Sequence, residues 1–127
     1  MTVTVSATES DNMADTLSAN IGNSAKLKLH NVSDTVLATL TYAASAGVVG
    51  VTSGAASITW AEGSWTDDET PANAGTCTYV TLTTSADTEV IRFTDPTTEL
   101  GLTSTSIQTD QPVRVTTDVV VKLPNST

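Results

Sequence analysis

The chain has few of the residues on which most catalytic and metal sites depend. Its 127 residues include one cysteine, Cys77, and one histidine, His30. A single cysteine excludes an internal disulfide and a cysteine-based zinc site, and it fits synthesis in a reducing cytoplasm. Neither residue has a sequence-adjacent partner that would activate it, so we expect Cys77 to be a small buried hydrophobe and His30 an exposed strand residue. The chain also lacks a nucleophile-base pair and a nucleotide motif, so we expect no enzyme, no cofactor and no metal site.

Positive charge is also scarce. Five Lys and Arg residues stand against 14 Asp and Glu, which gives a net charge of −9 and a pI near 4.1. The five cations are spread along the chain, whereas a nucleic-acid-binding face needs clustered Lys or Arg. An anionic membrane surface is disfavoured for the same reason. We therefore expect neither nucleic acid nor a membrane as a partner, and a surface that complements a basic partner instead.

Long apolar runs and aromatic residues are equally rare. The longest apolar runs are a few residues, too short to span a bilayer, and the first residues lack the basic and apolar regions of a signal peptide. Aromatic residues make up 4% of the chain. The core must therefore consist mainly of Val, Ile, Leu, Ala and the methyl groups of Thr. Such a core has few large anchors, and oligomerisation would stabilise it.

Threonine, by contrast, is about one residue in five, and apolar residues alternate with polar ones over most of the chain. Residues 113–121 place valine at almost every second position, which indicates a strand with one buried face. Residues 104–108 alternate too, so we predict a hairpin with a turn at 109–112. Further strands are predicted at 26–30, 35–42, 47–51, 56–60, 77–83 and 89–94. Residues 62–75 are predicted to be the longest and most acidic loop, and residues 97–101 another loop.

One stretch has a helical period. Met13, Leu17 and Ile21 recur every four residues and Gly22 supplies a stop, which predicts a helix over 9–21. Residues 1–8, where Val3 and Val5 alternate with polar residues, are predicted to be an extended arm. The arm is either frayed or paired with the sheet edge of a neighbouring subunit.

Seven or eight strands at roughly ten-residue spacing, with one short N-terminal helix, predict an all-β fold. No helical crossovers separate the strands, so we expect an antiparallel β-sandwich, a jelly roll or a small barrel. Residues 1–127 are predicted to form a single domain, with its β core over 26–123.

Two tryptophans flank the start of the acidic loop. Trp60 continues an apolar strand face and is predicted to be core. Trp65 follows Gly63 and Ser64, and we expect it either to cover a core edge or to anchor a partner. Asp67, Asp68 and Glu69 lack the alternating ligand pattern of a calcium loop, so we expect a solvated acidic loop that is available for contact.

The order of these features resembles a group of small structural proteins of tailed bacteriophages. The resemblance lies in the N-terminal helix, the strand Lys-Leu-Lys-Leu-His, its return Val-Leu-Ala-Thr-Leu-Thr-Tyr, and the Ala/Ser/Gly/Val-rich residues 44–59. It continues through residues 102–115, and residues 62–75 depart from it. It implies a non-enzymatic capsid decoration or cement protein on the outer surface of the virion, made in the cytoplasm of the bacterial host. Its implied partners are the major capsid protein and further copies of itself, with a trimer favoured.

Two other functions fit the same pattern. A tail or neck component would also form a symmetric ring of β domains. A carbohydrate-binding or adhesin-like module shares the sandwich architecture but should show exposed aromatics, for which only Trp65 qualifies. The residues that we expect to make partner contacts are Val3, Val5, Met13, Leu17, Trp65, Asp67, Asp68 and Glu69.

Overall fold

A computed structural model describes residues 6–43, 46–52, 55–102 and 104–122. Within these residues the chain forms two α-helices, α1 (Ala7–Ile21) and α2 (Pro96–Leu100), a 3-10 turn at Glu62–Ser64, and ten strands. The strands are β1 (Lys26–His30), β2 (Val36–Tyr42), β3 (Val48–Thr52), β4 (Ala55–Trp60), β5 (Trp65–Thr66), β6 (Gly75–Thr76), β7 (Tyr79–Thr83), β8 (Glu89–Phe93), β9 (Ser106–Ile107) and β10 (Val119–Lys122).

The strands form three open sheets in which every pair is antiparallel. The largest has the order β5-β2-β1-β7-β8, the second has the order β10-β4-β3, and β6 pairs with β9. The predicted all-β antiparallel class is therefore confirmed, and the fold is not a closed barrel. Ten strands are present where seven or eight are predicted, because β5 and β6 are two-residue strands within or at the end of the segment predicted to be the acidic loop.

Period-two alternation explains the faces of the central strand. Leu27 and Leu29 of β1 are buried, while Lys28 and His30 point to the opposite face and are half-buried. The six separate strands predicted between residues 26 and 94 all occur, each within two residues of its predicted bounds. Local alternation is enough to locate them because one face of each strand packs on the core.

Helix α1 is fixed at both ends by its caps. The Ser6 hydroxyl accepts a hydrogen bond from the Glu9 N–H at 3.2 Å, and Gly22, with φ 71°, donates its N–H to the Ser18 carbonyl oxygen. The predicted helix is confirmed, but it begins at Ala7. Residues 7 and 8 are thus helical rather than part of the predicted arm over 1–8. Val3 and Val5 lie outside the described residues.

The apolar stripe of Met13, Leu17 and Ile21 is only partly buried. Ile21 is buried, but Met13 is 42% exposed and Leu17 is half-buried. Small residues take the buried positions instead, and α1 packs on β3 and β4. They allow the helix backbone to lie close to the strands, which a side chain as large as Met13 would prevent. The buried residues of α1 are Ser10, Ala14, Ser18 and Ile21.

The predicted hairpin over residues 104–121 is wrong. Strand β9 pairs with β6, whereas β10 pairs with β4 in a different sheet. Between them Val113 exchanges backbone hydrogen bonds with Asp68, at 2.8 and 3.0 Å. The predicted strand over 113–121 is present only from Val119 onward, as β10, although Val113, Val115 and Val119 are buried as the alternation predicts. Thr117, on the same predicted face, is exposed. A side-chain pattern identifies the buried face of a segment but not the strand with which it pairs.

The predicted loop at 97–101 is also wrong, because residues 96–100 form α2. Asp95 accepts a hydrogen bond from the Thr98 N–H, and Glu99 accepts one from the Asp95 N–H at 2.9 Å. Pro96 occupies the first turn, and Gly101, with φ 62°, ends the helix. These are the features of a capped helix start and of a glycine stop.

One cluster of buried residues joins the two larger sheets and α1. It contains Leu27 of β1, Leu40 of β2, Ile58 of β4 and Val119 of β10. Trp60 has no exposed surface and is the largest fully buried side chain, which confirms the prediction that this tryptophan is core.

Candidate functional site

One flank of α1 is open to solvent and carries both contact residues predicted for this helix. Met13 and Leu17 lie one turn apart on this flank, because residues four apart are neighbours on a helix surface. They line a groove of about 420 Å³. The polar residues of the groove are Glu9, Asn12, Thr16 and Asn20. The flank is therefore an apolar pair surrounded by polar side chains with a single carboxylate.

Trp65 covers a core edge and is not a surface anchor. It is 6% exposed, and its ring packs at 58° against that of Tyr42, with the ring centroids 4.8 Å apart. The two residues are register partners across β2 and β5. The alternative that Trp65 is exposed for a partner is therefore wrong, because this pairing turns the indole inward.

The predicted acidic loop is in large part an ordered strap along the outer edge of β2. We call residues 65–73 the strap. The Asp68 carboxylate accepts hydrogen bonds from the Thr39 N–H at 2.8 Å and from the Thr70 N–H at 3.1 Å. Further along, Asn73 donates its side-chain amide to the Val36 carbonyl oxygen at 2.9 Å. Asp68 thus holds the strap to the sheet rather than standing free as a contact residue, which corrects the prediction of a solvated loop.

The other two predicted acidic contact residues differ from Asp68 and from each other. Asp67 pairs with Arg114, at 2.9 Å from its terminal nitrogen and 3.1 Å from Nε. Glu69 is exposed and has no ion pair in the part of the chain that the structure describes. Both residues line a cavity of about 380 Å³ that Trp65 and Val115 also border. Arg114 also lines a second cavity of about 350 Å³, together with Leu102, Ile107 and Pro112.

Three of the five cations, described above as spread along the sequence, meet on the outer face of the five-stranded sheet. Lys26 and Lys28 both contact the Asp87 carboxylate, at 3.0 and 2.9 Å, and Arg92 pairs with Glu89 at 3.1 Å. The hydrogen bonds from Lys28 and Lys26 lower the pKa of Asp87. Each cation has a carboxylate partner, so this face is a network of ion pairs rather than a bare basic patch.

His30 belongs to the same face and is held in an aromatic stack. Its ring is parallel to that of Tyr79, with centroids 4.6 Å apart, and the Arg92 guanidinium lies 4.3 Å from the Tyr79 centroid. The Tyr79 hydroxyl donates a hydrogen bond to Asp34 at 2.6 Å, which raises the pKa of Tyr79. His30 is half-buried, not exposed as predicted, because Tyr79 is its register partner on β7.

Cys77 is a buried thiol, as predicted. It is 3% exposed, and burial raises its pKa. Across the described ranges, no group of three or more His, Cys, Asp or Glu residues is arranged to hold a metal ion. None of the helices in those ranges is long and apolar enough to cross a membrane.

One surface was not predicted from the sequence: a row of residues across the outer face of the three-stranded sheet. Val48 and Val120 both pair with Thr59, so the three side chains line up across β3, β4 and β10. Val48 is 69% exposed and Val120 is 39% exposed. Alternation could have indicated this row, since it places both valines opposite the buried face. We call Val48, Thr59 and Val120 the valine row.

Comparisons with protein-family models, curated proteins and solved structures give no match for this chain. A function must therefore be argued from the surfaces of the molecule.

Proposed function

We propose that this chain is a non-enzymatic virion structural protein. It acts as a capsid decoration protein that binds the outer shell and bridges neighbouring major capsid protein subunits. The observation that carries the proposal is the open flank of α1, where Met13 is 42% exposed beside a groove of about 420 Å³. A large apolar side chain beside a groove with a polar rim is typical of a protein-protein contact.

The scaffold beneath this flank suits a contact that must be rigid. Ala14 and Ile21 fix the opposite side of α1 in the core, and the Ser18 hydroxyl donates a hydrogen bond to the Gly47 carbonyl oxygen at 3.0 Å. A preorganised surface loses less conformational entropy on binding than a mobile one does. Many copies that bind only the assembled shell would stabilise it by mass action.

Addition of the purified protein to particles that lack it tests the proposal. After heads and tails are separated, the bound copies are counted on each. We expect saturable binding to heads, at a copy number set by the capsid lattice. A small symmetric copy number on tails would identify a tail or neck component instead. Absence of binding to both would refute a virion role. A carbohydrate-binding module would need exposed aromatic side chains, and Trp65, the one residue expected to supply such a side chain, is buried.

A charge placed on the open flank of α1 tests the contact itself. We expect Met13→Lys to weaken binding to heads at least tenfold, because the introduced ammonium group would have to be desolvated in an apolar contact. The matched control is Val32→Lys, since Val32 is 83% exposed in a turn outside α1 and the substitution changes the net charge equally. Equal binding by the two variants would exclude this flank as the contact.

A further inference from the structure

The edge strands of the two larger sheets differ in how they are protected against pairing with another molecule. Edge strands in soluble proteins are usually short, charged or irregular, because an exposed ladder of backbone groups pairs readily with a second chain. Strand β5 has only two residues. Strand β8 carries the exposed Glu89–Arg92 pair, and its register with β7 is interrupted between Leu82 and Thr83. Strand β10 ends at the exposed Lys122.

Strand β3 has none of these protections. It has five residues, Val-Val-Gly-Val-Thr, without a charge or a proline, and its pairing with β4 is regular along its whole length. It is the terminal strand of its sheet, so its outer edge has no partner strand in the described part of the chain. Val48, at its start, is the second most exposed of the large apolar side chains described, after Val32.

The centre of β3 is open enough for a second backbone to approach. Gly50 is the middle residue of the strand and is exposed. A Cβ atom placed on Gly50 would meet nothing within 4 Å, and its φ is not positive, so neither space nor backbone conformation requires glycine there. Glycine within a strand weakens it, and it often marks a site where another backbone comes close.

We propose that the outer edge of β3 pairs with β3 of a second copy of this chain, antiparallel and across a two-fold axis at Gly50. Val48 then lies opposite Thr52 of the second copy, Val49 lies opposite Val51, and the two three-stranded sheets form one continuous sheet. The pairing is self-complementary. Each backbone N–H on the outer edge of one β3 can donate to a carbonyl oxygen on the same edge of the other copy, and the two-fold axis repeats the hydrogen bond in the opposite direction.

Charge favours this edge over other contacts between copies. Two molecules that each carry a net charge of −9 repel one another, so an uncharged segment is where they can approach most closely. The affinity between copies should therefore increase with salt, which screens the repulsion. A contact between the acidic residues of one copy and the ion-paired cations of another would weaken with salt instead.

Pairing at β3 goes beyond the proposed virion role and holds whichever particle the protein binds. It gives the expected homo-oligomer a two-fold contact, in place of the trimer that the resemblance implies. Failure of the proposed function would appear in binding to heads, whereas failure of this pairing would appear in the mass of the free protein.

Sedimentation velocity and chemical cross-linking test the pairing. We expect the wild-type protein to be a dimer at micromolar concentration. Gly50→Lys should raise the dimer dissociation constant at least tenfold, because two like charges would face each other across the axis. Val32→Lys is the control with the same change in charge. Circular dichroism of both variants verifies that the sheets remain folded.

Cross-linking tests the register. Residue 50 faces its own copy across the axis, so Gly50→Cys should form an intermolecular disulfide under mild oxidation, and Val32→Cys should not. The native thiol contributes little background, because Cys77 is buried. A monomeric wild-type protein, equal dissociation of the two lysine variants, or equal cross-linking of the two cysteine variants would overturn the proposal. So would dimers that form only after deletion of residues 1–5, since that segment would then be what covers β3.

Discussion

At the residue scale, the Asp68 side chain accepts a backbone hydrogen bond from β2 that a neighbouring strand would otherwise accept. Strand β5 pairs with only the last two residues of β2, and beyond it the Thr39 N–H is satisfied by the Asp68 carboxylate at 2.8 Å. A charged acceptor forms a stronger hydrogen bond than a neutral one, and this contact is partly buried. The carboxylate at this position of the strap therefore serves to hold the strap on β2.

Removal of that carboxylate should destabilise the protein. We expect Asp68→Ala to lower the free energy of unfolding by about 1–3 kcal/mol, because the Thr39 N–H is left without an acceptor in a partly buried site. Urea unfolding followed by circular dichroism measures the change. Glu69→Ala is the neighbouring control, since Glu69 is exposed, and it should change the free energy by less than about 0.5 kcal/mol. Equal effects of the two variants would contradict the structural role of Asp68.

The ionisation of Asp87 should make the free energy of unfolding depend on pH in the acidic range. Lys28 and Lys26 hold the pKa of Asp87 below its ordinary value of 3.8. The unfolded chain therefore takes up this proton at a higher pH than the folded chain does. The stabilising contribution is complete at pH values above the ordinary pKa, and it is lost as the pH falls through the lowered pKa of the folded state.

The corresponding variant is Asp87→Asn. At pH 7 it should be less stable than the wild-type protein, and the two stability curves should converge as the pH falls below 3.8. Thermal unfolding between pH 7 and pH 2 measures this difference, which should also shrink at high salt because the ion pairs are exposed. Asp110→Asn, on an exposed turn, is the control. A constant difference at every pH would contradict the assignment to Asp87.

At the scale of the elements, α1 is part of the core and also a candidate contact surface. The structural role of the buried face can be distinguished from that of the open flank by truncating one side chain on each. Ile21→Ala should lower the free energy of unfolding by about 2–5 kcal/mol, because Ile21 is 2% exposed and its removal leaves a cavity. Met13→Ala should leave stability nearly unchanged, because Met13 is 42% exposed. Similar losses for both, measured by urea unfolding, would mean that Met13 is packed as tightly as Ile21.

Elements set by local pattern could be predicted from the sequence, whereas their pairing could not. Alternation located the strands from β1 to β4, and β7 and β8, and the four-residue period located α1. Helix α2 also had a readable signal, since Asp95, Pro96 and Glu99 form a capped start, but the segment is only five residues long. The separate partners of β9 and β10 depend on contacts far apart in the sequence, which no local period encodes.

The candidate contact residues show the same limit. The helical period places Met13 and Leu17 on one side of α1 but does not indicate which side of the helix is buried. Small side chains such as Ala14 can be buried in their place, because they let the helix lie closer to the strands. Trp65 and Asp68 were recognised as distinctive, yet their roles depend on Tyr42 and Thr39, which are distant in sequence. Alternation gives the face of Val48 and of Val120 within each strand, but it does not show that β3, β4 and β10 pair so that the two valines and Thr59 form one row.

At the scale of the whole molecule, the shared core predicts cooperative unfolding. Buried side chains from both larger sheets and from α1 belong to one cluster, so loss of either sheet exposes the other. We expect a single thermal transition in which the calorimetric enthalpy equals the van't Hoff enthalpy. Two resolved transitions in differential scanning calorimetry would show instead that the sheets unfold as separate units.

The order of the five-stranded sheet also bears on how fast the protein can fold. Strands β1 and β2 are joined by a short turn, as are β7 and β8, so each hairpin can form within roughly microseconds. The sheet is completed only when β1 pairs with β7, which brings Leu29 opposite Val80 and closes a long loop. Proteins dominated by such distant pairings refold in roughly milliseconds to seconds. The slow step of refolding is therefore expected to be the docking of two preformed hairpins rather than the formation of either one.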